Sequence, residues 1–129
     1  MPFVHIRIAG AEPRLEQIEA LQEGATKLMA SVMRKKADLT AVLVETHDTL
    51  RWSIGGQPVS RAAHLDVKIT AGTNSVDEKV EFVRQAHDLL RSALGANLPL
   101  ATYIVVDEVS ADAWGYGGLT QEARRVAAT

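Results

Sequence analysis

The chain of 129 residues contains no cysteine, which excludes a disulfide framework, a thiolate nucleophile and cysteine-ligated zinc. Its four histidines are scattered, and neither His47-Asp48 nor His64-x-Asp66 has a third ligand at useful spacing, so no metal is expected. Neither sign of charge dominates: 14 Lys plus Arg face 16 Asp plus Glu, for a net charge of −2. Such a balance offers no broad basic field to nucleic acid or to an anionic membrane surface, and neither is expected as a partner. No apolar run approaches the ~18 residues of a spanning helix. The opening segment, Met1-Pro2-Phe3-Val4-His5-Ile6-Arg7, lacks the basic start and apolar stretch of a signal peptide. The expected location is the cytoplasm. A composition of 47% hydrophobic and 23% charged residues is that of an ordinary globular chain, and the length fits a single domain over 1–129.

What the sequence does contain is a repeat. Ile6-Arg7-Ile8-Ala9-Gly10 resembles Val67-Lys68-Ile69-Thr70-Ala71-Gly72, and Trp52-Ser53-Ile54-Gly55-Gly56 resembles Trp114-Gly115-Tyr116-Gly117-Gly118, at nearly one offset. The domain therefore divides into a unit at 2–61 and a second at 64–124. Each reads strand, helix, strand, Gly-rich hairpin. Phe3 to Ile8 alternates as a strand, with Val4, Ile6 and Ile8 on one face and Phe3, His5 and Arg7 on the other. Pro13 opens a helix whose apolar positions Ile18, Leu21, Ala25, Leu28, Met29 and Val32 share a face, with Lys35-Lys36 at the end where the helix dipole favours cations. Thr40 to Glu45 is a strand apolar enough for a sheet interior. In the second unit Ser75-x-x-Glu78 has the form of a capping box, Val80, Val83, Ala86, Leu90 and Leu94 continue the helix, and Gly95 stops it. Tyr103 to Val106 is the last long strand. Gly55-Gly56 and Gly117-Gly118 suit turns at positive φ and open no helix, so they are not phosphate loops.

Two β-α-β units of this kind predict an α+β fold: one four-stranded sheet with both helices on one face, supplemented by short hairpins. The other sheet face is then bare. It is expected to be apolar and buried against another copy of the chain.

Pro2 is the position where chemistry is expected. Removal of an initiator Met before a small residue would make proline N-terminal, converting an amide nitrogen into a secondary amine that can take a proton. An α-amino group has a pKa of about 7.7–8; a nearby cation or an apolar pocket lowers it further, giving a general base near neutral pH. The alternative is that Met-Pro reflects processing alone. Pro2 leads directly into a sheet strand, which would hold its nitrogen in place.

Met1-Pro2-Phe3-Val4-His5-Ile6, the helix through Lys36, Leu39-Thr40-Ala41-Val42 and Trp52-Ser53-Ile54-Gly55-Gly56 together resemble a 4-oxalocrotonate tautomerase subunit, and residues from 64 onward resemble a fused second copy. The resemblance implies the tautomerase superfamily fold, no cofactor, a small carboxylate substrate, and a homotrimer. Pro2 matches the family's base, Arg14 lies near its first carboxylate-binding arginine, and Trp52 matches the aromatic residue that keeps the site apolar. The family's second arginine has no counterpart. Tyr103 falls near its place in the second unit, and Arg7, Arg51 or Arg61 are possible substitutes. Ala63 stands where the second unit would have its proline, so half of the inherited sites should be inactive. A related decarboxylase resembles the segment around Asp112 to Trp114 but carries arginines where this chain has Thr73-Asn74-Ser75, which disfavours decarboxylation. The shared Trp114 implies that the second unit walls the Pro2 site of the same or a neighbouring chain.

These readings have structural alternatives: Trp52 and Trp114 as hairpin packing, Arg14 as a solvated charge, Tyr103 as a core or interface residue. The expected function is a cofactor-free keto–enol tautomerase acting on 2-hydroxydienoates or 2-oxo acids. The rivals are a hydratase or dehalogenase that uses Glu12, Asp107, Glu108 or Asp112 to activate water, and a catalytically silent trimeric binding or scaffold protein.

Overall fold

The computed structural model describes residues 2–10 and 12–128. The first unit consists of β1 (Phe3–Ala9), α1 (Leu15–Ser31), β2 (Ala41–His47) and a hairpin of β3 (Ser53–Ile54) and β4 (Gln57–Pro58). The second repeats it as β5 (Ala62–Thr70), α2 (Val76–Leu94), β6 (Tyr103–Val109) and a hairpin of β7 (Gly115–Tyr116) and β8 (Leu119–Thr120), followed by α3 (Gln121–Ala127). Both hairpin turns have two glycines at positive φ, +60° and +76° in the first and +59° and +82° in the second, the backbone that a tight two-residue connection requires.

The four long strands form one sheet in the order β2-β1-β5-β6. Strands are parallel within a unit, with Phe3 opposite Ala41 and His64 opposite Tyr103. The units meet antiparallel, Phe3 opposite Lys68 and Ala9 opposite Ala62. The start of each unit's first strand therefore lies beside the finish of the other's. β2 is an edge strand and not an interior one, because the second unit joins on β1; Val42 and Val44 are half-buried while Ala41 and Leu43 are exposed.

Val4, Ile6 and Ile8 of β1 and Leu65, Val67 and Ile69 of β5 are buried under Leu21, Ala25 and Met29 of α1 and Phe82, Ala86 and Leu90 of α2. Gly24 weakens α1 locally but lets the helices approach: a Cβ there would stand 2.4 Å from Leu89 Cδ1. The second helix follows expectation at both ends. Ser75 Oγ accepts from the Glu78 N–H, Glu78 Oε1 accepts from the Ser75 N–H, and Gly95 closes it at φ +104°. The first helix is shorter than expected. Arg34 adopts φ +59° and the Lys35 N–H returns to Met29 O at 2.8 Å, so Lys35 and Lys36 lie beyond the last turn.

The bare sheet face is not the apolar surface expected. Its central positions carry His5, Arg7, Glu45, His47, His64, Asp66, Lys68 and Asp107, linked by pairs that include His5 with Glu45, Arg7 with Asp66 at 3.4 Å and Lys68 with Asp107 at 3.4 Å. Strand alternation assigns polar residues to this face, and the exposed apolar side chains Phe3, Leu43 and Val105 are its minority. Among the described residues no helix is long and apolar enough to cross a membrane.

Candidate functional site

The antiparallel joining of the units gives the sheet two ends of similar construction and different content. At one end Pro2 is buried, and its carbonyl accepts from the Ala41 N–H at 3.3 Å, fixing it where the β1–β2 pair begins. Continuing the β1–β5 register by one residue places it beside Ile69. Here the chain leaves β5 and turns into α2. Trp114, carried past β6 to this end, donates its indole N–H to Thr70 Oγ1 at 3.2 Å. Thr73 Oγ1 donates to Thr70 O at 2.6 Å and accepts from Lys35 Nζ at 2.7 Å. Asn74 Nδ2 ties the turn to Met33 O at 2.9 Å, so the end of α1 and the start of α2 are held together around it. Met1 lies outside the described residues.

Lys35 is a partly desolvated cation at this end. Burial and then the neighbouring Arg34 guanidinium hold the Lys35 ammonium below its usual pKa. Arg34 itself is engaged, its Nε 2.6 Å from Glu78 Oε2. That pairing and the Ser75 N–H pull the Glu78 carboxyl down to about 2. Lys35 is therefore a cation that opposes its own burial and has a hydroxyl but no carboxylate among its hydrogen-bond partners. A carboxylate ligand would relieve it.

At the other end a cavity of about 330 Å³ is lined by Trp52, Ser53, Ile54, Gly55, Ala63, His64, Ala101 and Tyr103. Arg14 also sits here as the N-cap of α1, its side chain 77% exposed and its Nε 3.5 Å from Glu16 Oε2.

The five residues singled out from the sequence are thus divided. Pro2 and Trp114 share one end; Trp52, Tyr103 and Arg14 occupy the other, with Ala63 in the place of the proline. The length of β1, roughly 20 Å for a seven-residue strand, separates them within a chain. The reason is topological: β2 and its hairpin finish at the end where β1 finishes, which is where β5 starts. Each hairpin therefore serves the other unit's strand start. The substitutes proposed for a second arginine do not gather at Pro2 either. Arg7 pairs with Asp66, and Arg61 donates to Leu94 O at 2.6 Å. Lys35, Thr70 and Thr73 were not singled out as site residues; Thr73 appeared only as the place where arginines are absent, and Lys35 only as a helix-end cation.

Of the carboxylates considered for water activation, Asp107 is held by Lys68 at 3.4 Å and Glu108 by Lys79 at 3.3 Å. Glu12 lines a separate cavity of about 500 Å³ with His47 and Asp48, at the end away from Pro2. Asp107 and Glu108 lie at the proline end of the sheet, across β5 from Pro2; Asp112, at the same end, lines a cavity of about 330 Å³ with Trp114. Among the described residues no group of three or more His, Asp or Glu could hold a metal ion.

Residues 64–124 match the family model described as tautomerase enzyme. The curated protein Probable tautomerase K2 of Dickeya dadantii (strain 3937) is 37% identical over 60 residues, covering 46% of this chain and 90% of that protein. A fused 4-OT solved as a symmetric trimer superposes with a TM-score of 0.85 at 14% identity, over 95% of this chain and 98% of the other. Another, solved as an asymmetric trimer, gives 0.83 at 17%, over 95% and 98%. A macrophage migration inhibitory factor-like protein from Entamoeba histolytica gives 0.76 at 21%, over 92% and 97%. At these identities the solved structures establish the shared fold.

Proposed function

The chain belongs to the tautomerase family, and from that premise we propose that it is a cofactor-independent keto–enol tautomerase whose base is the N-terminal amine of Pro2 after removal of Met1. The observation that carries this reading is the burial of Pro2 at the start of an inner strand, at the end of the sheet where Trp114 is anchored to Thr70. An amine in that position is withdrawn from water on its apolar side and shares its end of the sheet with the Lys35 ammonium. Both effects disfavour the ammonium form and keep the nitrogen basic near neutral pH.

The substrate class is a 2-hydroxydienoate or a related enol of a 2-oxo acid. The Pro2 nitrogen takes the proton of the enol hydroxyl as the 2-oxo group forms, and the resulting ammonium returns a proton to the conjugated carbon, restoring the free amine. Lys35 attracts the substrate carboxylate and the negative charge that develops on the enolate, while Trp114 excludes water. Arg14 lies exposed at the other end of the same chain, so a guanidinium that it lends to Pro2 has to come from a neighbouring copy, for which the fused relatives solved as trimers are the precedent.

Intact-mass measurement, coupled to ketonisation of 2-hydroxymuconate by the native chain and by Pro2→Ala, tests the proposal. Loss of Met1 and loss of activity in the variant are expected; an intact Met1, or an unchanged rate without the proline ring, overturns it and leaves a silent binding protein. One structural relative is described as inactivated by 2-oxo-3-pentynoate, and the same reagent should add a single adduct to Pro2 here. The position of Asp112 beside Trp114 favours one second reading, hydration of an acetylenic or halogenated acid, with Pro2 protonated and Asp112 activating water. Turnover of 2-oxo-3-pentynoate to a hydrated product, in place of inactivation, would select it.

A further inference from the structure

The cavity at the Ala63 end is absent from the reaction proposed above, yet it holds two of the six aromatic side chains of the protein, Trp52 and Tyr103. At about 330 Å³ it is of a size that small-molecule sites occupy. Ile54, Ala63 and Ala101 supply apolar walls. Its polar groups are few and unspent. Whereas the Trp114 indole N–H is committed to Thr70, neither the Trp52 indole nor the Tyr103 hydroxyl has a protein hydrogen-bond partner among the described residues. His64 completes the lining. Its Nε2 stands 3.3 Å from Asp66 Oδ2, an oxygen also 3.4 Å from Arg7, so the ring is oriented by a carboxylate that is itself pinned. With Nε2 so engaged, Nδ1 remains as the imidazole's second polar atom.

The lining contains no Lys, Arg, Asp or Glu. A charged ligand would enter without a counter-ion and lose hydration uncompensated. A flat, neutral molecule would instead stack on the indole and phenol rings and use the hydroxyl, indole and imidazole for one oxygen substituent. We propose that the aromatic cavity between Trp52 and Tyr103 is a second small-molecule site, selective for neutral planar aromatics with one hydroxyl or carbonyl group, such as simple phenols. It is a binding site and not a second reaction centre, since a peptide-bonded Ala63 stands where the other end has its amine.

The two tryptophans report on the two ends separately. Incorporation of 5-fluorotryptophan into the intact assembly gives one fluorine resonance from each, assigned with Trp114→Phe. Titration with p-cresol should move the Trp52 resonance saturably, with a dissociation constant on the order of 1 mM, and leave Trp114 in place. Ala101→Leu, which enlarges a part-exposed wall of the cavity, should weaken binding by about tenfold or more. Tyr103→Phe removes only an exposed hydroxyl without threatening the fold, and should weaken it roughly threefold to tenfold. Pro2→Ala should leave binding unchanged, so the outcome is independent of the tautomerase proposal. Benzoate should bind more weakly than p-cresol. A Trp52 resonance that does not move, that is titrated with unchanged affinity in Ala101→Leu and Tyr103→Phe, or that moves only in step with Trp114 overturns the site; benzoate binding more tightly overturns its neutrality.

Discussion

The two ends of the sheet were built from one plan and now differ in what they can do. Each has a buried small residue at the start of an inner strand, a tryptophan delivered by the other unit's Gly-Gly hairpin, and the start of one helix. At the first end that residue is Pro2, the tryptophan is anchored to Thr70, and the adjoining helix is capped by Ser75 and Glu78 with Arg34 and Lys35 packed around it. At the second it is Ala63, the tryptophan is unanchored, and the corresponding cap is Arg14 with Gln17, its N–H donating to Gln17 Oε1 at 2.8 Å. Duplication preserves the scaffold because both cores need the same apolar face. The strand starts are not preserved: one carries Pro2 and the other Ala63.

The largest effect should fall on the reaction. Pro2→Ala is expected to lower kcat/KM for enol ketonisation by about 10²- to 10⁴-fold, whereas Ala63→Pro creates no second active end, since its nitrogen remains an amide. The two cores can be compared through Phe82 and Leu21, which hold corresponding places on α2 and α1. By urea unfolding, Phe82→Ala should cost about 3–5 kcal/mol and Leu21→Ala about 2–5 kcal/mol; equal and negligible losses would deny that both units contribute to one core. Next comes Lys35 at the proline end. Lys35→Met should raise KM for a dicarboxylate about tenfold with a smaller change in kcat, and an unchanged KM would remove Lys35 from substrate binding. Ser75→Ala should destabilise by about 1 kcal/mol, while Arg14→Ala, without a side-chain cap bond to lose, should be nearly neutral by the same measurement.

The smallest effect is a difference in acid sensitivity between the caps. Glu78 has a pKa near 2 in the fold against 4.5 as a free side chain. A lowered folded value means that its contribution is complete above about pH 5 and is lost as the pH falls from there towards 2. Stability of the native chain relative to Glu78→Gln should therefore decline across that interval and vanish below it. The α1 cap, built on the amide of Gln17, should show no matching trend in Gln17→Ala.

Much of the architecture was readable because it depends on local pattern. The period of two in Phe3 to Ile8, the capping box at Ser75, the stop at Gly95 and the paired glycines of both hairpins each specify a backbone that short-range physics enforces, and all are present. The misreadings lie where the deciding contact is distant. Thr40 to Glu45 is as apolar as an interior strand, but strand order is settled by which strand the second unit joins. The helix end at Ser31 depends on Arg34 turning to reach Glu78, a residue in the other unit. The bare face was expected to be apolar from the need to cover a sheet, although the alternation already assigned it His5 and Arg7.

By itself the sequence determined that a β-α-β element closed by a Gly-Gly hairpin occurs twice, and that the first strand opens on Pro2 where the second opens on Ala63, because these follow from residue identity and spacing along the chain. Which tryptophan accompanies that proline was decided only by the tertiary structure. Antiparallel joining of β1 to β5 sends every hairpin to the opposite unit, bringing Trp114 to the end of the sheet where Pro2 lies and Tyr103 to the end where Trp52 and Arg14 lie, and no spacing within either unit encodes the direction in which two units meet.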